Sequence, residues 1–140
     1  MAVTFQEQVK KFTSIVEPRM RNVSVKVGLD LHKVIVKKTI VDTGRLKAGN
    51  QLMPGSKPTG STTDTDKTGA GTLAKGIANM KSYKLGDDIW ICNNVEYAYP
   101  VEMGFRGKSG GHRGAGFFRT SVDDIISQWP NIVQEVKSAT

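Results

Sequence analysis

The sequence predicts an α+β fold: N-terminal helices and a C-terminal helix packed on a small, mainly antiparallel β-sheet, with long mobile loops. Apolar residues recur at helical spacing towards both ends of the chain, one run between them alternates with period two, and there is no regular strand-helix alternation of the parallel α/β kind. At 140 residues, 38% hydrophobic and 24% charged, the chain suits one domain (1–140) with a modest core rather than wholesale disorder.

The first helix is read from "TFQEQVKKFTSIV", where Phe5, Val9, Phe12 and Val16 share one face; Thr4 is the N-cap and Glu7 its capping-box partner. Pro18 is expected to break the chain into a second helix. That helix runs to about Thr39 on a stripe of Met20, Val23, Val27, Leu31, Val34 and Lys38, widened by Ile35, with Lys26, Lys33 and Lys37 on a polar flank. "VSVKVGLDL" also alternates like a strand, but the helical period persists far longer than strands usually run. Gly28 weakens the helix by about 1 kcal/mol relative to alanine.

"VDTGRLKAGN" (41–50) reads as a turn, with Asp42 or Thr43 as a cap, Gly44 permitting close backbone approach and Leu46 as the apolar anchor. "NQLMPG" is a short strand. Residues 54–71 are almost wholly Pro, Gly, Ser, Thr, Asp and Lys, a composition with nothing to bury, and are expected to form a mobile surface loop. Leu73, Ile77 and Met80 suggest a short helix or irregular turn. "DDIWICNNV" (87–95) alternates between turn signals and predicts a well-buried strand. In "TSVDDIISQWPNIVQEVK", Val122, Ile125, Ile126, Trp129, Ile132, Val133 and Val136 form the stripe of the last helix. Thr120 or Ser121 is its cap, Asp123 and Asp124 fill its first turn, and Pro130 kinks it or starts another.

No apolar run approaches the roughly 20 residues of a membrane helix, and the polar start lacks the apolar core of a secretory signal, so a cytosol-like setting without a membrane is expected. The single cysteine, Cys92, offers neither an internal disulfide nor a zinc spacing. A net charge of +7 favours polyanions or acidic protein surfaces, or is simply a solvated basic face.

Catalytic signatures fail on spacing. Gly107-Lys108-Ser109 would need a glycine where Glu102 stands to make a phosphate-binding P-loop, and Gly69, Gly71 and Gly76 do not match a dinucleotide turn. His32 is expected to be an ordinary, partly exposed helix residue and Cys92 a small core residue. Asp87-Asp88, Asp123-Asp124, Asp64 and Asp66 fit turns, a helix start and a polar loop without calcium-loop spacing. The expectation is no enzyme, no cofactor and no metal.

Residues 104–119 remain, with Arg106, Lys108, Arg113 and Arg119 threaded among six glycines. Such a segment resists packing into a core but adapts to phosphates or to acidic groups on a neighbour, so 104–116 is expected to be a mobile assembly arm. Phe105, Phe117 and Phe118 staple its ends to the body, in preference to stacking on bases.

Three segments taken in order, "VDTGRLKAGNQ" (41–51), "DDIWICNNVEYAYPVEMG" (87–104) and "GAGFFRTSVDD" (114–124), resemble the tail-completion proteins of long-tailed bacteriophages, small neck or minor tail proteins of the head-tail joint. The matching residues are Asp42, Thr43, Gly44 and Leu46; Asn93, Asn94, Tyr97, Ala98, Val101, Glu102 and Gly104; and Gly116, Phe117 and Arg119. The resemblance implies an α+β virion subunit, assembled in the host cytoplasm into a homo-oligomeric ring, a hexamer. The ring would complete or terminate the tail tube and join it to the connector. Its partners would be itself and the adjacent tail-tube, tail-terminator or connector proteins, with some cations facing DNA in the lumen. The matching residues are then fold and assembly positions; with them, Arg106, Lys108 and Arg113 are the expected partner contacts. The chain departs from the family pattern in its 54–71 loop and its basic arm. The rival reading is a basic, non-specific nucleic-acid-binding protein that uses the same cations.

Overall fold

The computed structural model describes residues 2–105 and 112–139. Its first element, α1 (Phe5–Lys38), is one helix of 34 residues where the sequence predicts two. The capping box forms as expected: Thr4 Oγ1 accepts the Glu7 N–H at 3.2 Å and Glu7 Oε2 accepts the Thr4 N–H at 2.8 Å. Pro18 lies inside the helix instead of ending it. Proline deletes one helical hydrogen bond and crowds the carbonyl four residues back, here that of Ser14. Ser14 and Pro18 are both exposed, so water can take the released carbonyl and the helix continues.

The chain then forms α2 (Arg45–Ala48), β1 (Asn50–Pro54), α3 (Ala70–Met80), β2 (Ile89–Asn93), α4 (Ala98–Met103), the short β3 (Gly104–Phe105) and β4 (His112–Arg113), and α5 (Phe117–Ala139). β1 pairs antiparallel with β2 and β3 with β4, giving two small sheets in an α+β arrangement.

α1 is contacted on two sides, which a single apolar stripe does not announce. Of its buried residues, Gly28 and His32 face β1, β2 and α3, Val36 meets Gly69 before α3, and Ile35 packs with Leu46, Val95, Ala98 and Phe117. The predicted stripe of Val23, Val27 and Leu31 is only half-buried and lies along α5. α5 runs antiparallel to α1, tied by Lys38–Asp124 at 2.6 Å near one end and Lys26–Glu135 at 2.9 Å near the other. Hydrogen bonds donated to Glu135 and Asp30 raise the Lys26 pKa against the opposing effect of burial. These half-exposed pairs set the register of the helices and contribute about 1 kcal/mol or less each.

α5 begins earlier than predicted, at Phe117, so Asp123 and Asp124 fall beyond its first turn. The expected caps point back along the helix instead: Thr120 Oγ1 donates to the Gly116 carbonyl and Ser121 Oγ to that of Phe117. Pro130 is accommodated inside the helix at an exposed position, like Pro18.

In the β1–β2 ribbon Asn50 pairs with Asn93 and Pro54 with Ile89. Every residue of β2 is half-buried, not well buried as expected, because α1 and α3 pack chiefly on β1. The Gly55 N–H bond to the Asp88 carbonyl, 2.8 Å, fixes the ladder's alternation. The outward carbonyls of β1 are taken by side chains: Asn50 O accepts from His32 Nε2 at 2.8 Å and Leu52 O from Asn79 Nδ2 at 3.0 Å. The apolar interior includes two clusters. One contains Ile35, Leu46, Val95, Ala98 and Phe117; the other contains Leu52, Met80 and Tyr83.

α3 confirms the short helix but turns a different face inwards. Thr72, Gly76 and Met80 are buried while Ile77 is exposed. A Cβ on Gly76 would stand 2.7 Å from His32 Nδ1, so small size, not hydrophobicity, lets the helix approach α1.

The 54–71 segment has no regular structure between residues 57 and 69, but it is fastened through its backbone. Gln51 Nε2 donates to the Gly60 carbonyl at 2.8 Å, Asn94 Nδ2 to those of Pro58 and Gly60 at 3.0 Å each, and Arg45 Nε to that of Thr62 at 2.9 Å. Composition accounts for its lack of apolar side chains, not for these bonds.

Candidate functional site

The three segments that carry the family resemblance meet at one joint. Gly44 opens α2 in the left-handed region, φ 90°, and its carbonyl accepts the Asp66 N–H at 3.0 Å. Thr43 Oγ1 accepts the Arg45 N–H at 3.3 Å, and Asp42 is exposed beside it. Leu46 is buried as the predicted anchor, and its carbonyl accepts from Asn93 Nδ2 at 2.8 Å. Asn93 joins more: Nδ2 also donates to Asn50 Oδ1 at 3.0 Å, and its own Oδ1 accepts the Val95 N–H at 3.1 Å. Asn50 Nδ2 in turn donates to Thr39 Oγ1, 2.8 Å, and Thr39 Oγ1 to the Ile35 carbonyl, 2.7 Å. The end of α1, the α2 turn and both strands are thus linked by one buried polar chain. Asn94, the neighbouring residue, holds the 54–71 loop.

Arg45, the variable position of the Asp-Thr-Gly-x-Leu turn, makes a two-pronged contact with Glu96: Nη1 to Oε1 at 2.7 Å and Nη2 to Oε2 at 2.9 Å. Its guanidinium also lies 5.8 Å from the centre of the Tyr97 ring. Hydrogen bonding to Arg45 lowers the Glu96 pKa, and the same pair raises that of Arg45.

Glu102 caps α5 from outside the helix. Its Oε2 accepts the Phe118 N–H at 3.1 Å and its Oε1 the Arg119 N–H at 3.0 Å, two of the N–H groups a helix start leaves without partners. The Gly116 N–H donates to the Glu102 carbonyl at 3.1 Å. Glu102→Ala should therefore lower stability by about 0.5–2 kcal/mol, the range for loss of a helix cap, and a urea titration would measure it. Phe117 is buried in the core and meets the half-buried Phe118 ring at 5.2 Å between centres, so both act as staples, as predicted. The Arg119 side chain reaches back over Gly116. Gly104 starts β3 and pairs with Arg113. Arg106 and Lys108 lie outside the described residues, as do the side chains of Phe105, His112 and Arg113.

Three residues were given no such role by the sequence. His32 is fully buried, not partly exposed, and its Nε2–H donates to the Asn50 carbonyl. Its four-residue spacing from Gly28 and Val36 was the signal. Burial pushes its pKa below 6.5, against the hydrogen bond that raises it. The unfolded chain therefore takes up this proton first, so the stability His32 contributes is full above about pH 6.5 and is lost as pH falls towards the folded value. Urea midpoints should decline from pH 7 to 5, and His32→Gln should flatten that decline.

Asp66 and Asn50 are the other two. Asp66 accepts from the Gly69 N–H at 3.0 Å, the Thr72 N–H at 2.8 Å and Thr72 Oγ1 at 2.7 Å, and so organises the start of α3. Partial burial pushes its carboxyl up, but these bonds outweigh that and leave its pKa lowered. Cys92 is half-buried on β2, in a shallow hollow with Tyr99, Glu102 and Phe118. No group of three or more His, Cys, Asp or Glu among the described residues could hold a metal ion, and no helix there is long and apolar enough to cross a membrane.

Compared with family models, with curated proteins and with solved structures, the chain matches none.

Proposed function

We propose that the chain is a structural subunit of a long-tailed bacteriophage, forming a ring at the head-tail interface that completes or terminates the tail tube and joins it to the connector. The observation that carries this reading is the joint itself. Segments 41–51, 87–104 and 114–124, whose order and spacing resemble tail-completion proteins, interlock through Asn93 on the Leu46 carbonyl, Arg45 on Glu96, and Glu102 on the start of α5. Those residues are spent on holding loops and helix ends in place. That is the work of a subunit whose loops meet neighbours, and ring closure then adds stability by mass action.

The basic arm, with Arg106, Lys108 and Arg113, contacts an adjacent ring or subunit in this reading, and some cations face the DNA lumen. Imaging particles that encode the chain tests it: ring density at the head-tail joint that fits this fold is expected, and particles lacking the chain would overturn the proposal. Replacing Arg106, Lys108 and Arg113 with serine should impair assembly of infectious particles.

The net charge of +7 favours the second reading, an independent nucleic-acid binder. Duplex affinity of the free subunit that falls about 10³-fold or more between 50 and 200 mM salt would select it instead.

A further inference from the structure

We infer that the projecting N-terminal part of α1 docks on the outer face of α5 in a second copy of the chain, so that each subunit both offers an arm and receives one. Four observations lead there. First, α1 outruns its support. The hollow at the end of the α1–α5 seam begins at Val16, beside Val133 and Val136, while residues 5–12 are exposed on every side. This stretch nevertheless carries an apolar face, with Phe5 79%, Val9 45% and Phe12 67% exposed. An uncovered aromatic stripe of this kind marks a contact surface.

Second, a matching surface lies elsewhere on the same molecule. Val122, Ile126 and Trp129 on α5 are 40%, 66% and 48% exposed and rim an apolar hollow floored by Val27, Leu31 and Ile125. The two faces share one spacing: Phe5, Val9 and Phe12 are separated by four and three residues, and so are Val122, Ile126 and Trp129. Helix faces with that repeat interdigitate side by side.

Third, the two cannot meet within one chain. α1 is continuous, and Phe12 lies 19 residues from Leu31, about 28 Å along a helix at 1.5 Å per residue. Bringing the arm back onto the hollow would require breaking the helix, so the occupant is another copy.

Fourth, the charges are compatible. Lys10 and Lys11 stand beside Val9 and Phe12, with Glu7 engaged in the capping box, while exposed Asp123 stands beside Val122 and Arg119, one turn before it, reaches back over Gly116. An arm-to-arm pair would bring the lysines together and leave the α5 face open; an arm-to-hollow contact uses both surfaces. Because the two patches differ, the contact can propagate head to tail from copy to copy, and it gives a ring where the rotation closes.

The inference rests on the ring reading only in taking another copy as the partner. It is tested on the full chain by light scattering after size exclusion, over a concentration series. Wild type, Phe12→Asp, Ile126→Asp and an equal mixture of the two variants are compared; both sites are exposed, and circular dichroism checks that the fold is kept. The expected result is self-association of the wild type, weakened about tenfold or more by either substitution. The mixture should recover a two-copy species, because one intact arm still meets one intact hollow. Ile126→Asp assembling like wild type would overturn the inference in favour of arm-to-arm pairing. Assemblies unaffected by either substitution would overturn it while leaving the ring reading in place. A wild type that stays monomeric throughout would also overturn it, and the ring reading would then be judged separately by imaging the particle.

Discussion

Replacing Gly44 with alanine is expected to destabilise the chain by about 2–5 kcal/mol. A residue with a Cβ costs roughly 1–2 kcal/mol in the left-handed region, and Gly44 sits there with φ 90°. The added methyl also meets backbone, which cannot swing aside: the Asp66 and Lys67 nitrogens lie 2.8 Å from its position. Forcing atoms into filled space costs about 1–3 kcal/mol more. Gly55→Ala separates the two contributions, since Gly55 has φ 86° but nothing within 4 Å of an added Cβ. The Gly55 variant should lose only the conformational share. Urea titrations of both variants at pH 7 check this, and equal losses would show that the approach of Asp66 to Gly44 contributes nothing.

Phe117→Ala should have an effect of similar size, a loss of about 3–5 kcal/mol, the range for removing a fully buried phenylalanine. Phe117 is 1% exposed and packs with Ile35, Leu46, Val95 and Ala98. It therefore ties the first turn of α5 to α1, α2, the segment after β2 and α4, and the cavity it leaves would be walled by these four elements, which cannot all collapse inwards. Phe118→Ala, at a half-buried ring on the rim of the same cluster, should cost clearly less. If the two variants melt together, the joint is held by its polar contacts and not by this ring.

Much of this fold was legible because local chemistry and tertiary contact agree. Thr4 and Glu7 cap α1 whatever surrounds them, Leu46 is the one apolar residue in a polar turn, and "IWICN" alternates between turn signals. The misses share a cause: water or a neighbouring element supplied what the local sequence lacked. Pro18 does not end α1, since water can satisfy the freed carbonyl. The buried side of α1 runs through Gly28 and His32, and α3 turns Thr72 and Gly76 inwards, because two helices approach most closely where side chains are small. Periodicity weighs hydrophobicity and overlooks such positions.

The candidate joint was half legible. Asn93, Asn94, Glu102 and Phe117 were singled out by resemblance, but their partners, Asn50, the Pro58 and Gly60 carbonyls and the α5 N–H groups, lie far away in sequence. The 54–71 loop shows this most clearly: its composition describes what it cannot bury, whereas it is held by carbonyls, which every residue possesses.

His32 and Asn79 occupy the outer carbonyls of β1, and Pro54 brings no N–H to that margin. The ribbon is consequently one-sided. A strand grafted by design, or gained by insertion over evolutionary time, finds the β1 flank already closed by imidazole and carboxamide, and only the backbone of Ile89, Ile91 and Asn93 could act as its template.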